Sequence, residues 1–196
     1  LKSAYKEKKK EIESRLKDFS RVKGDDLFYE LCFCLLTPQS SAFRSDEKIK
    51  ILKEKDFLHK NIDPHPIIKD LRFHNNRNKY LMELKVNYPK IKKILNKGYK
   101  SEELRYILIK NVNGISTKES SHFLRNIGYR NLAILDRHIL RNLVKLEVID
   151  ELPRTLTRKR YLEIEKKFKE FSEKVKIPID HLDLLFWSLE TGKIFK

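Results

Sequence analysis

Two residues of this 196-residue chain stand where local structure invites chemistry: Lys118 and Asp136, 18 positions apart. Lys118 falls at the second or third residue of a helix expected to start at Thr117. The helix dipole there disfavours an ammonium by a few tenths to about 1 kcal/mol. Acids normally take such positions, so a lysine is locally out of place, and such residues are candidates for function. An amine held toward its neutral form is a nucleophile. The competing reading is a lysine that reaches a phosphate or solvent. Asp136 follows the apolar Leu132-Ala133-Ile134-Leu135 and precedes Arg137-His138-Ile139. That places it as a helix N-cap at the junction of two helical blocks. A carboxylate there can accept a proton or stabilise a cationic sugar transition state. The competing reading is a cap and nothing more.

These two residues need a scaffold. Val112-Asn113-Gly114-Ile115-Ser116 joins a helix ending near Asn111 to the one starting at Thr117. Gly114 permits a positive φ and a sharp turn. Ile115 is expected to tuck inward and lock the two helices. Ser116 with Glu119 reads as a capping box, Ser-x-x-Glu. Backbone N–H groups of Gly114 and Ser116 beside a helix start form an anion site. Phosphate needs only such donors, so the turn suits DNA held without sequence reading.

No segment alternates as a strand would, and the expected fold is all-α. The first helix covers 3–19. Asp25 or Asp26 is expected to cap a helix over 27–36 that is apolar nearly all round, the mark of a core centre. Thr37, ahead of Pro38, is expected outside the α region. Gln39-Ser40-Ser41 then form a polar turn that can present donors to a phosphate or base. Ser45 is expected to cap a helix over 46–55, and 67–71 is a short helical piece. The stretch 72–80 carries the cations Arg72, Arg77 and Lys79, with Asn75 or Asn76 capping the next helix and leaving the other free. Pro89 is placed at the start of a separate helix over 91–96. Ser101 caps 102–110. Helices follow from Asp136 to about 146 and over 159–174. Pro178 and Asp180 open the last helix, which Gly192 closes.

Net charge is +16, from 44 basic and 28 acidic residues, which points to a polyanion partner, nucleic acid first. Charged residues reach 37% and Gln39 is the sole glutamine, a composition that also suits adaptation to heat. Hydrophobic residues at 40% are enough for a folded core. No apolar run has membrane-spanning length, and the Lys- and Glu-rich start does not read as a signal peptide. The expected location is the cytoplasm of a prokaryote, at the nucleoid. Cys32 and Cys34 are expected to be buried, reduced thiols without a shared metal.

Val112-Asn-Gly-Ile-Ser-Thr-Lys118 followed by Leu135-Asp-Arg-His-Ile139 resembles the helix-hairpin-helix DNA glycosylases, whose pattern is Leu-Pro-Gly-Val-Gly-x-Lys and then Val-Asp-x-His. Leu35-Leu-Thr-Pro-Gln-Ser40 is similar to that family's segment near the flipped base. Two features depart from the pattern. Ser116 replaces the second hairpin glycine, and the four-cysteine iron–sulfur loop of one branch is missing. The ending, Phe186 to Lys196, is similar to that of the archaeal 8-oxoguanine DNA glycosylases.

The resemblance implies two helical subdomains, 27–133 and 1–26 plus 134–196, with the active cleft between them. Lys118 and Asp136 would be catalytic. Trp187, Lys196 and Gln39 would recognise the base. Gly114, Ser116, Asn75, Asn76, Arg72 and His138 would hold the DNA. A flat ring such as Trp187 can stack on an extruded purine, although core packing is the plainer role. The implied activity is removal of 8-oxoguanine by lysine attack on C1′, with β-elimination then nicking the strand. It needs no cofactor and no metal. The implied partner is double-stranded DNA containing 8-oxoguanine, bound by a monomer and away from any membrane. The alternatives are a glycosylase for oxidised pyrimidines or mismatched adenine, or a non-catalytic helix-hairpin-helix module that only binds DNA.

Overall fold

The computed structural model describes all 196 residues, Leu1–Lys196. It is all-α, with no strand. The helices are α1 (Lys2–Phe19), α2 (Asp26–Leu36), α3 (Ala42–Glu54), α4 (His65–Ile68) and α5 (His74–Leu95), then α6 (Ser101–Asn111), α7 (Thr117–Asn126), α8 (Arg137–Lys145), α9 (Arg158–Val175) and α10 (Ile179–Thr191). The chain forms two compact units, one of Val22–Phe123 and one of Leu1–Arg21 with Leu124–Lys196. The borders expected from the sequence lay at 26/27 and 133/134. The observed ones fall just ahead of α2 and inside α7.

In the unit Val22–Phe123, α2 is the centre. Every residue from Phe28 to Leu36 is buried, because a helix apolar all round needs cover on every side. α3 and α5 supply it. The Phe28 ring meets Tyr88 edge-on at 5.0 Å and Phe57 at 5.8 Å. Cys32 and Cys34 are buried and not joined in a disulfide, and burial pushes the Cys32 thiol well up.

Several local expectations are corrected. α5 runs unbroken through Pro89 instead of starting anew there. Its buried face, Arg77, Leu81, Leu84, Tyr88 and Ile91, keeps helical spacing across the proline, so packing outweighs one missing N–H. α5 starts at His74 behind Phe73, which is left-handed (φ 59), and neither asparagine caps it. Asn75 instead bonds His65 Nε2 at 3.0 Å. α4 ends at Ile68, short of the expected 71. Asp25 and Asp26 make no side-chain cap bond to α2. Their carboxylates meet His59 (3.0 Å) and Lys53. Ser101 is the first residue of α6, not its cap.

The largest corrections cluster after α2. Thr37 stays in the α region (φ −77, ψ −30), and its hydroxyl donates to the Cys34 carbonyl at 3.1 Å. The chain turns instead at Gln39, which is left-handed (φ 54). Ser45 lies inside α3 and caps nothing; its hydroxyl donates to the Leu36 carbonyl at 2.9 Å. Arg77, one of the three cations noted in the stretch 72–80, is 4% exposed and acts as a strut. It donates to Leu36 O at 2.8 Å, to Ser40 Oγ at 2.9 Å and to Pro38 O. One planar fork thus fixes both sides of the Gln39 turn, which a lysine could not do.

α6, the turn after it and the start of α7 belong to the same unit. Gly114 has φ +88, and a Cβ there would lie 2.4 Å from Cδ2 of Tyr80. Ile115 is buried as expected. Arg105 of α6 donates to Ser121 Oγ at 3.2 Å, and Ser120 Oγ donates to the Arg105 carbonyl at 3.2 Å.

In the other unit, α10 is the central helix and packs on α1, α8 and α9. One cluster joins Phe168, Tyr161 and Ile164 of α9 to Leu182 and Phe186 of α10 and Ile139 of α8. A second joins Ile12, Leu16 and Phe19 of α1 to Leu184, Leu185 and Ile194. Gly192 closes α10 with φ 79, and the buried Ile194 returns the tail to that second cluster.

Two substitutions test this scaffold. Gly114→Ala combines a left-handed Cβ with a clash on a packed ring and is expected to destabilise the protein by about 2–4 kcal/mol. A denaturant midpoint unchanged from wild type would show that the hairpin relaxes freely. Arg77→Ala strips buried carbonyls of their donor, for an expected loss of about 2–4 kcal/mol. A loss under about 0.5 kcal/mol in the same titration would mean that the strut is idle.

Candidate active site

Lys118 is the second residue of α7, where the sequence put it, and its side chain is 26% exposed. Its Nζ lies 2.9 Å from Oε1 of Glu119. The other oxygen of Glu119 accepts the Ser116 N–H at 3.1 Å and the Ser116 hydroxyl. Half of the expected capping box is therefore present. The glutamate reaches back as predicted, but the serine hydroxyl donates to the glutamate instead of accepting from the helix. Glu119 is 6% exposed. Burial alone would raise its carboxyl; Lys118 and the Ser116 donors outweigh burial and hold it below the usual range. The ammonium thus has an anionic neighbour that opposes the dipole of α7.

The same contact changes the phosphate site. Ser116 is exposed, but its N–H is committed to Glu119 and is not a donor for an anion. Gly114 remains exposed at the tip of the turn.

Asp136 belongs to the other unit. It is the N-cap of α8, and its Oδ1 accepts the Ile139 N–H at 2.8 Å. The buried stretch 132–135 that delivers it is pinned to α9. Ala133 N–H donates to Glu165 at 2.8 Å, the Tyr161 hydroxyl donates to the Ala133 carbonyl at 2.6 Å, and Leu135 N–H reaches that hydroxyl at 3.3 Å. A non-helical segment with apolar side chains is held by two polar groups of a helix, so Asp136 is positioned by these bonds as well as by its cap. Near it lies a buried ion pair, Arg125 with Asp183. Burial, with the charges of Asp136 and Asp180, pushes the Asp183 carboxyl up to about 7 against the pull of Arg125.

The remaining candidates fall into local groups. Gln39 is exposed on the turn that Arg77 braces. Arg72, Asn75 and Asn76 are exposed about the start of α5, with the Arg72 guanidinium 4.8 Å over the Phe73 ring. Trp187 is half-buried and stacks on Phe195 at 6.1 Å, beside Lys196. His138 is half-buried, with Nδ1 3.9 Å from Glu190. No three His, Cys, Asp or Glu side chains are grouped to hold a metal ion. No helix is long and apolar enough to cross a membrane.

Sequence reasoning missed three contributors, and two of them left a signal. Arg77 occupies the helical register of the apolar stripe 81, 84, 88, 91, which marks it as facing inward. Glu119 was read only as a cap, although it adjoins the candidate nucleophile. The Arg125–Asp183 pair joins residues 58 apart and left no such signal.

The chain matches the family described as 8-oxoguanine DNA glycosylase over residues 12–177. It is 47% identical to a Fusobacterium nucleatum protein named 8-oxoguanine DNA glycosylase/AP lyase, over 100% of this chain and 96% of that protein. A Methanocaldococcus jannaschii protein of the same name is 38% identical over 94% of this chain and 91% of its own. Among solved structures, the M. jannaschii 8-oxoguanine glycosylase/lyase in complex with a 15-mer DNA containing 8-oxoguanine superposes with a TM-score of 0.89. It has 34% identity and covers 99% of this chain and 98% of that one. The 8-oxoguanine DNA glycosylase of Thermotoga maritima, Tm1821, gives a TM-score of 0.89 at 32% identity, over 100% and 96%. With a match that spans most of its length, a lysine after the hairpin turn and an aspartate cap 18 residues on, the chain belongs to the 8-oxoguanine DNA glycosylase family.

Proposed function

We propose that this protein is a DNA repair enzyme that excises 8-oxoguanine from duplex DNA and then cuts the strand at the abasic site. The observation that carries the reading is the Lys118 amine, placed at the second residue of α7 directly after the hairpin. The relatives' shared name, which joins a glycosylase to an AP lyase, supports the same chemistry. The excess of basic residues supports duplex DNA as partner. The bacterial and archaeal relatives support work at the nucleoid, in the cytoplasm of a prokaryote.

In this reading the neutral Lys118 amine attacks C1′ of the damaged nucleotide. The N–C1′ bond forms as the glycosidic bond breaks, and its electron pair leaves with the base. Asp136 stabilises the positive charge that develops on the sugar. Opening of the sugar ring gives a protonated Schiff base. That cation acidifies the C2′ proton, whose removal expels the 3′ phosphate and nicks the strand. An amine nucleophile leads to this outcome, whereas water would stop at the abasic site. Gln39, Trp187 and Lys196 are assigned to the extruded base and the gap that it leaves. Arg72, Asn75, Asn76, His138 and the hairpin are assigned to the duplex.

Borohydride trapping tests the nucleophile. A duplex carrying one 8-oxoguanine should yield a covalent complex on a denaturing gel, lost in Lys118→Gln and absent with undamaged DNA. Tight binding with no cross-link on any damaged duplex would leave a binding module only. Asp136→Asn tests the carboxylate. Asparagine caps a helix as well as aspartate does, so the melting midpoint should hold while base release falls by about 10²-fold or more. Full activity in that variant would reduce Asp136 to its capping role.

A further inference from the structure

The mechanism above needs a neutral amine, and the structure offers a proton acceptor that it has not used. We propose that Glu119 is a catalytic residue, the base that takes the proton from the Lys118 ammonium before attack. This inference rests on Lys118 being the nucleophile.

Adjacent residues on a helix point about 100° apart and do not normally pair. Here they do, with Nζ 2.9 Å from Oε1, within reach of direct proton transfer. The two carboxylate oxygens have separate duties. Oε2 holds the hairpin through Ser116, and Oε1 faces the amine. A cap requires only the first. A glutamate that served as a cap alone would gain more from turning its second oxygen to water than from being 6% exposed.

The step balances within the pair. Lys118 ammonium and Glu119 carboxylate become Lys118 amine and Glu119 carboxylic acid, with no change in total charge. Burial is the largest influence on Glu119, and it favours the neutral acid. The ammonium is the main influence that opposes burial. Once the proton has crossed, that opposition is gone, and burial works against the Ser116 donors only. A duplex that covers Lys118 and excludes water shifts the pair the same way, since a dry ion pair loses its hydration. The lone pair released on Nζ then forms the bond to C1′, and the departing base takes a proton from solvent.

Glu119→Gln separates the two duties. Glutamine serves a capping box as glutamate does, accepting the Ser116 N–H, but it cannot take a proton. Base release is measured in single turnover with excess protein on a duplex carrying one 8-oxoguanine. DNA affinity and melting midpoint are measured alongside. The expected result is a loss of about 10²-fold or more in rate with affinity and midpoint retained. A rate within about threefold of wild type would overturn the proposal. So would a faster rate, which would make Glu119 a brake that keeps the lysine charged. Should Glu119→Gln not fold, the wild-type single-turnover rate is followed against pH. A rate already level near neutrality supports proton transfer within the pair; a rate that climbs with pH up to the range of a free lysine amine overturns it. If the wild-type protein itself neither releases base nor traps, the glycosylase reading has failed, which its own control lane shows before any variant is compared.

Discussion

The carboxylate of Glu119 ties the hairpin to the proposed nucleophile. One side chain closes the start of α7 on the Ser116 N–H and also holds the amine of Lys118. The turn it closes is defined from the far side by Tyr80, whose ring leaves no room for a Cβ at position 114. A long lysine on an exposed helix start would sample many rotamers, each reducing the fraction ready to react. Pairing to a buried, doubly bonded carboxylate removes most of that freedom. The bend, the helix start and the direction of the amine are therefore one constraint.

Asp136 is positioned by a different route. Its scaffold is a stretch outside any helix, which has no hydrogen-bond ladder of its own and must find partners elsewhere. Glu165 and Tyr161 of α9 supply them. Next to it, Arg125 and Asp183 form an ion pair with almost no water. Removing Asp183 would leave the buried Arg125 charge alone, an expensive state. Around the pair, Asp180 accepts the Asn131 N–H at 3.0 Å, and Arg130 donates to the Leu16 carbonyl at 2.7 Å. These bonds fasten α1 and the chain after α7 to the α10 end of their unit, so the aspartate sits on a braced frame.

Much of this was legible in the sequence. The all-α fold, the hairpin, the Asp136 cap, the Gly192 stop and the apolar α2 follow from spacing and residue type. What failed were decisions that only packing makes. Pro89 reads as a helix start, yet the buried face of α5 carries the helix through it. Ser45 reads as a cap, yet its hydroxyl serves the end of α2. Thr37 should leave the α region before a proline, but its own hydroxyl holds the last turn of α2, and the bend passes to Gln39. In each case a local rule lost to a contact with residues elsewhere in the chain or in the preceding turn. Lys118 was found because it broke a local rule, and the partner that makes the break tolerable was one residue away.

The distribution of charge follows the same division of labour. Six acids are buried, Glu30, Asp46, Glu119, Glu165, Asp180 and Asp183, against three basic residues, Arg77, Arg105 and Arg125, and no lysine. The surface is accordingly more positive than the formal +16 suggests. The choice of arginine inside has a physical reason. Arg77 reaches three acceptors with one rigid fork, and an ammonium on a flexible stem is too strongly hydrated for that place. None of the lysines is buried, and a flexible ammonium at the surface suits contact with phosphate at any sequence. Acids used as internal struts and lysines kept on the surface give one chain both a rigid frame for its proposed nucleophile and a positive surface that suits a polyanion.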